Sequence, residues 1–194
     1  MPAPAVRRAT YQDVLDAPEN MIAEVIFGTL YTQSCPAIPH ARVSTRLGNV
    51  LGHHFDDDDS PTSWLSLHKP ELHLGSEPDI LVPDLAGWRL ANVQPGMDDA
   101  PWTSVAPDWV CEVLSPSTHI RDRGIKLDIY LRERVGHVWL IDPIAETLEI
   151  YRHNGADWSR GSLHTGGVTI RAEPFEAIEL ELARIWKRSA PPQP

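Results

Sequence analysis

The chain has 194 residues, of which 42% are hydrophobic and 23% charged, with a formal net charge of −10 and a pI near 5.3. This length predicts one domain, 1–194, with an N-terminal arm at 1–9 and a flexible tail at 189–194. The acidic balance argues against a protein that coats nucleic acid through a broad basic surface. No apolar run approaches the roughly 20 residues of a membrane helix, so no membrane partner is expected.

The first half of the chain predicts a short helix, a strand pair and a longer helix. Thr10 and Asp13 form a capping-box pattern at the start of TYQDVLDA. MIAEVIFGTLYTQS follows as a strand pair with a turn or bulge at Gly28. Apolar residues at helical spacing then predict an amphipathic helix between His40 and His54.

The helix from His40 runs into HHFDDDDSP, where two histidines stand beside four aspartates. A metal site is one interpretation of this cluster. We favour the other, a helix end that continues into a solvated acidic loop.

The second half predicts the strands of a sheet with one helical crossover. SWLSLHKPELHLG and DILVPDLAGW read as strands, and APDWVCEVLS as a buried strand. STHIRDRGIKLDIYLRERV is predicted to be a helix, followed by paired strands in HVWLIDP and TLEIYRH. The segment from His164 predicts one more strand pair and a short helix. The fold class is therefore α/β, α+β-like, with a central mixed sheet flanked by helices.

Two cysteines, Cys35 and Cys111, lie far apart in the sequence, and neither belongs to a metal-type pair. Cys111 lies in an apolar strand, which predicts a buried free thiol in a reducing cytoplasm.

Glu112 is the most unusual residue of the apolar strands. Alternation places it between Val110 and Leu114 on one face, while Trp109, Cys111 and Val113 occupy the other. A carboxylate in such a strand costs several kcal/mol unless it is paired, protonated or bound to a metal. A salt bridge with an arginine or with Lys126 is the alternative to a metal site.

The helix after this strand carries Asp122, Lys126 and Tyr130 four residues apart, which places them on one stripe. If the helix packs beside the Glu112 strand, Lys126 reaches the carboxylate. The alternative is a surface Asp–Lys pair worth tenths of a kcal/mol.

Asp79 and Asp84 compete as partners of Glu112, since both follow a proline. Five residues apart in an extended strand they point to opposite faces, so at most one joins the site. We choose Asp84, which follows the apolar run Ile80–Val82 at the end of the strand, and interpret Asp79 as a turn residue. Glu24, which alternates with isoleucines in MIAEVIF, is a further ligand if its strand lies beside Asp84.

Carboxylates and a lysine in this arrangement are the groups that cleave phosphodiesters. A divalent ion on two or three carboxylates polarises the phosphoryl oxygen and lowers the pKa of a bound water. A lysine beside the ion orients that water or stabilises developing charge, with its own pKa either depressed by burial or raised by the carboxylates.

Several segments, in this order, resemble the Uma-type (Uma-two) family of bacterial restriction-endonuclease-like proteins, within the PD-(D/E)XK nuclease superfamily. The resemblance runs from about Thr10 to Trp186. Its segments are EVIFG, PAIPH, VPDLAGWR, PDWVCEVLSPST, RDRGIKLDIY, and GHVWLIDP followed by TLEIYR.

The resemblance implies a restriction-endonuclease-like core and metal-dependent DNA hydrolysis as the ancestral chemistry. It assigns Asp84 and Glu112 as metal-binding acids, Glu24 as an additional acid and Lys126 as the active-site lysine. Leu114 stands where the superfamily usually has its lysine, and Lys126 on the next helix takes that role.

Three more residues are expected to support the site. His40 and Asp122 match recurring family positions, and Tyr130 continues the stripe of Lys126. His40 has an alternative role as a helix-start residue that hydrogen-bonds the backbone.

The leading hypothesis is an endonuclease that depends on Mg²⁺, with Mn²⁺ as a possible substitute, and cuts DNA as a cytoplasmic homodimer. The alternative is a catalytically silent nuclease-fold protein that binds nucleic acid or acts as a regulatory module. Nothing in the sequence favours a third, a pocket for another phosphoester or a protein partner.

Overall fold

The computed structural model describes residues 7–56, 62–97 and 99–186. Most of the predicted arm, the aspartates at 57–59 and the predicted tail lie outside this range. Within it the α-helices are α1 (Tyr11–Leu15), α2 (Ile38–Phe55), α3 (His119–Arg123), α4 (Ile125–Arg132) and α5 (Leu182–Trp186). A short 3-10 helix covers Leu90–Asn92.

The strands of the described residues are β1 (Met21–Ile26), β2 (Thr29–Ser34), β3 (Trp64–His68), β4 (Leu72–Leu74), β5 (Asp79–Leu81), β6 (Leu85–Arg89), β7 (Trp109–Val113), β8 (His137–Asp142), β9 (Thr147–His153), β10 (Trp158–Thr165), β11 (Thr169–Ile170) and β12 (Leu180–Glu181).

The main sheet has six strands in the order β10-β9-β8-β7-β6-β3. β7 and β8 are parallel, and every other neighbouring pair is antiparallel, so the sheet is mixed as predicted. A second sheet, β2-β1-β5-β4, is antiparallel throughout. β11 and β12 form a small separate pair.

The two faces of β7 supply two separate cores, which confirms the alternation expected for this strand. Trp109, Cys111 and Val113 pack with α2, α5 and the C-terminal segment. Val110 and Leu114 pack with α4, β8 and the small sheet. The main sheet is therefore covered on both sides, and Glu112 points into the layer between the main sheet and α4.

The crossover from β7 to β8 is not the single helix that the sequence predicts. It breaks at Gly124, whose φ of −118° and ψ of −98° are not helical. A Cβ at Gly124 would lie 3.1 Å from the carbonyl oxygen of Ile120, so glycine permits the close approach of the two turns. The expectation of one continuous helix was wrong, although its polar stripe is retained.

The segment DILVPDLAGW is also not one strand. β5 belongs to the small sheet and β6 to the main sheet, with Pro83 and Asp84 at the bend between them. Proline has no N–H to donate to a strand ladder, which favours a change of sheet at this point. Asp84 therefore lies where the two sheets meet.

The sequence did not predict the edge strand β10, because none of its residues is buried and Gly161 interrupts its pattern. The remaining predicted elements are present, and the predicted fold class is confirmed. None of the helices in the described residues is long and apolar enough to cross a membrane.

Candidate active site

Lys126, in the first turn of α4, is the centre of a buried charge cluster. Its Nζ lies 2.7 Å from Glu112 Oε1, 2.9 Å from Glu24 Oε1 and 3.8 Å from Asp122 Oδ1. The residue is 1% exposed. Burial alone lowers the pKa of Lys126, but Glu112 and Glu24 outweigh it and hold that pKa well above its ordinary value. Lys126 is therefore an ammonium ion at neutral pH.

Glu112 receives two donors on the same carboxylate oxygen. The hydroxyl of Tyr130 donates to Oε1 at 2.5 Å, and the Lys126 ammonium reaches the same atom. Burial raises the pKa of Glu112 to about 8, with Lys126 opposing the rise and neighbouring carboxylates adding to it. Since both donors end on Oε1, Oε2 is left for another ligand.

The polar side chains of the β7–β8 crossover still lie on one side, next to Glu112, despite the break at Gly124. Asp122, Lys126 and Tyr130 are all buried beside Glu112. Burial raises the pKa of Asp122 and, together with Glu112, raises that of the Tyr130 hydroxyl well above its usual range. Tyr130 thus keeps its proton and acts as a donor.

Glu24, in β1, contacts residues of α4, of α3 and of the segment after β5. Its Oε1 accepts from Lys126 and, at 2.9 Å, from the backbone N–H of Val82 beside the Pro83–Asp84 bend. Its Oε2 is buried without a hydrogen bond, and Arg121 NH2 lies 3.6 Å away. Glu24 therefore positions both the lysine and the bend, and its predicted role as a metal ligand stays a prediction.

Asp84 approaches the cluster from the bend between the sheets. Its Oδ2 accepts from the backbone N–H of Val113 at 2.8 Å and lies 3.1 Å from His40 Nε2. Lys69 Nζ stands 3.9 Å from Oδ1. His40, near the start of α2, thus contacts Asp84 through its side chain.

Asp79 lies elsewhere, as the choice of Asp84 requires, but it is not a turn residue. It is the first residue of β5, where Oδ1 accepts from Phe27 N–H at 2.6 Å and Oδ2 from Arg132 at 2.9 Å. Phe27 has a left-handed φ of +48° in the β1–β2 turn. Asp79 therefore stabilises that turn.

The cluster forms the floor of a cleft of about 270 Å³. The charged side chains on its wall are Lys69, Asp84, Glu112, Asp122 and Lys126. His40 and the hydroxyl residues of the loop after β7, among them Ser115 and Thr118, complete it. The cleft therefore brings acidic side chains, ammonium groups and hydroxyls together, which makes it the candidate functional site.

An ion bound in this cleft would have few protein ligands and would need water or substrate to complete its shell. Among the described residues no group of three His, Cys, Asp or Glu side chains is arranged to hold a metal ion. Mg²⁺ is usually bound by one or two carboxylates, with water and substrate phosphate completing its shell. Glu112 Oε2 and Asp84 Oδ1, which no hydrogen bond within the described part of the chain occupies, are the oxygens suited to it.

Two residues at the site escaped sequence analysis. Arg121 contacts Glu24 and donates to Gln33 Oε1 at 2.7 Å, with its guanidinium 5.0 Å from the Tyr31 ring centre. Lys69 precedes Pro70 within the segment SWLSLHKPELHLG, which the sequence assigns to strands, and in the structure it lies between β3 and β4. Its only sequence signal is rarity, since the chain has just three lysines.

Comparison with known proteins gives a family and a fold. A family model described as "Putative restriction endonuclease", Uma2, matches residues 9–184. None of the curated proteins matches the chain. A solved crystal structure, described as "a putative nuclease belonging to DUF820" from Anabaena variabilis ATCC 29413, is 19% identical.

That similarity covers 91% of this chain and 97% of the other, with a TM-score of 0.73. At this level of identity it shows a shared fold. The family match spans nearly the whole chain and includes every residue of the cleft, so the resemblance seen in the sequence is confirmed. The chain belongs to the Uma2 family, described as "Putative restriction endonuclease".

Proposed function

We propose that this protein is a cytoplasmic, Mg²⁺-dependent endonuclease that hydrolyses phosphodiester bonds of DNA, with Mn²⁺ as a substitute. One observation carries the proposal. Lys126 is buried as an ammonium ion between Glu112 and Glu24, on the wall of a cleft that Asp84 also lines. A family of restriction-endonuclease-like proteins supports the same chemistry.

In this proposal Asp84 and Glu112 would hold the metal ion through their free carboxylate oxygens. The chemistry supplied by a divalent ion there would be polarisation of the phosphoryl oxygen and a lowered pKa of a bound water. Val113 N–H fixes the Asp84 carboxylate through its other oxygen, which His40 Nε2 also contacts, and Tyr130 fixes Glu112 in the same way. Each carboxylate is thus oriented by donors on one oxygen and open on the other.

Lys126 acts as a cation and not as a base. Its ammonium donates one hydrogen bond, to Glu24, and forms an ion pair with Glu112 at 2.7 Å, while Asp122 at 3.8 Å is beyond hydrogen-bond distance. An ammonium group has three N–H donors, so one is available to orient the attacking water or to stabilise charge on the phosphoryl group. Glu24, which accepts a hydrogen bond from Val82 N–H and lies near Arg121, keeps the ammonium in place.

A homodimer belongs to the proposal because cutting both strands of a duplex suits two active sites related by a two-fold axis. Sedimentation equilibrium on the full chain tests it. A monomer at the concentrations used for cleavage would remove this part of the proposal and leave the chemistry untouched.

The test of the chemistry compares two buried aspartates. Calorimetric titration with Mn²⁺ and plasmid cleavage in Mg²⁺ are measured for wild type, Asp84→Asn and Asp79→Asn. We expect Asp84→Asn to lose metal binding and cleavage, whereas Asp79→Asn keeps both because Asp79 lies outside the cleft. Wild-type protein that binds no metal at millimolar concentrations and leaves plasmid intact refutes the nuclease.

A second candidate function is a catalytically silent nuclease fold that binds nucleic acid or regulates a partner. It is favoured by the absence, among the described residues, of three side chains arranged to hold a metal. The same titration decides between them, since a silent protein is expected to bind no ion in the cleft.

A further inference from the structure

The cleft has no surplus of positive charge with which to bind a phosphodiester. Its wall carries three acidic side chains, Asp84, Glu112 and Asp122, against two lysines. The whole chain has a net charge of −10, so its average field also repels a polyanion. Binding of DNA therefore requires a cation that is local and free to contact a phosphate.

Lys126 does not meet that requirement. Its side chain is 2% exposed, and its ammonium group is engaged by Glu112 and Glu24. A group held in this way contributes to the reacting centre but has no freedom to follow the DNA backbone.

Lys69 does meet it. Its side chain is 33% exposed on the cleft wall. Within the described part of the chain, its ammonium pairs with Asp84 Oδ1 at 3.9 Å, a distance too long for a hydrogen bond. This oxygen is the one that we assign to the metal. Since the ammonium of Lys69 makes no hydrogen bond to it, its N–H donors are available to a phosphate next to the reacting centre.

The backbone of Lys69 is held in an uncommon conformation to place it there. Its φ is +50°, a left-handed value that few non-glycine residues adopt and that the following Pro70 disfavours further. The N–H of Lys69 donates to the carbonyl oxygen of Asp84 at 3.2 Å. Strained residues of this kind concentrate at functional sites, where surrounding contacts enforce them.

We propose, resting on the nuclease function above, that Lys69 is the substrate-binding cation of the cleft and contacts a backbone phosphate of DNA beside the scissile bond. The contact is electrostatic and independent of base sequence. It supplies affinity, whereas Lys126 serves the chemical step.

The test measures the salt dependence of DNA binding. Fluorescence anisotropy of a labelled duplex in Ca²⁺ is recorded across a salt series for wild type, Lys69→Gln, Lys69→Arg and Arg184→Gln. Each lost phosphate contact is expected to reduce the slope of log K against log salt by about 0.9. Arg184 is the matched control, because it is an exposed cation that does not line the cleft.

The expected result is a slope reduced by about 0.9 in Lys69→Gln, restored in Lys69→Arg and unchanged in Arg184→Gln. Lys69→Gln should also raise KM for plasmid more than it lowers kcat, and its Mn²⁺ affinity should not fall. An unchanged slope in Lys69→Gln, with wild type cleaving normally, overturns the role of Lys69 alone.

Two further outcomes also count against the proposal. Loss of Mn²⁺ binding in Lys69→Gln shows that the residue supports the metal site and not the substrate. A wild-type protein that binds no duplex overturns the role of Lys69 and contradicts the proposed nuclease as well.

Discussion

Replacing Lys126 by methionine tests whether its ammonium balances the buried carboxylates. Methionine has a similar length and no charge, so Glu24, Glu112 and Asp122 would remain buried without their shared cation. The expected result is a large loss of folding stability, and the loss should grow with pH.

The magnitude follows from the geometry. At an effective dielectric constant of about 20, each contact of 2.7–3.8 Å corresponds to roughly 4–6 kcal/mol of attraction when the acid is ionised, which for Glu112 requires alkaline pH. Desolvation of the buried groups offsets most of this gain. Removing one partner of a buried pair typically costs about 3–5 kcal/mol, and we expect Lys126→Met to lie in that range.

The pH dependence has a definite sign. Burial already places the pKa of Glu112 at about 8, above its unfolded value, so the folded state holds a proton that the unfolded chain releases. Such a group stabilises the fold fully below its unfolded pKa and loses that contribution as pH rises through its folded pKa. Without Lys126 the pKa of Glu112 rises further, which makes the variant weakest in alkaline buffer.

Urea unfolding at about pH 6 and about pH 9 measures both effects. Arg152→Met is the control, since it removes one exposed cation paired with Glu173 and should cost less than about 1 kcal/mol. If Lys126→Met is as stable as wild type at the higher pH, the lysine does not neutralise the cluster and the reasoning is wrong.

Three further predictions follow from the same contacts. The Mn²⁺ affinity of the wild type should rise between about pH 6 and pH 8, because Glu112 must release its proton to bind the ion. Calorimetry in two buffers of different ionisation enthalpy should show this proton release, and a pH-independent affinity would exclude Glu112 as a ligand. Tyr130→Phe removes only the hydroxyl that donates to Glu112, so thermal and urea unfolding should show a loss of about 1–3 kcal/mol, whereas an unchanged midpoint contradicts that hydrogen bond. Asp79→Asn weakens the contacts to Phe27 and Arg132 and should cost about 1–3 kcal/mol; an effect on metal affinity would show that the turn and the cleft are coupled.

The sequence by itself determined which side chains are candidates for the functional site. A glutamate within an apolar strand is costly unless it is compensated, and this cost alone marks Glu112 as a candidate site residue. Spacing of four residues placed Asp122, Lys126 and Tyr130 on one stripe, and the structure retains that stripe even across Gly124. These inferences succeeded because alternation in strands and periodicity in helices are local properties of the chain.

Only the tertiary structure decided how these side chains meet. Local pattern read 79–88 as one strand, whereas pairing in two different sheets bends the chain at Asp84 and directs its carboxylate to Val113 N–H. The pKa of Lys126 was open, because burial and neighbouring carboxylates act in opposite directions and their distances settle the sign. The sequence also could not predict Lys69 as a site residue, because its role depends on a tertiary contact with Asp84.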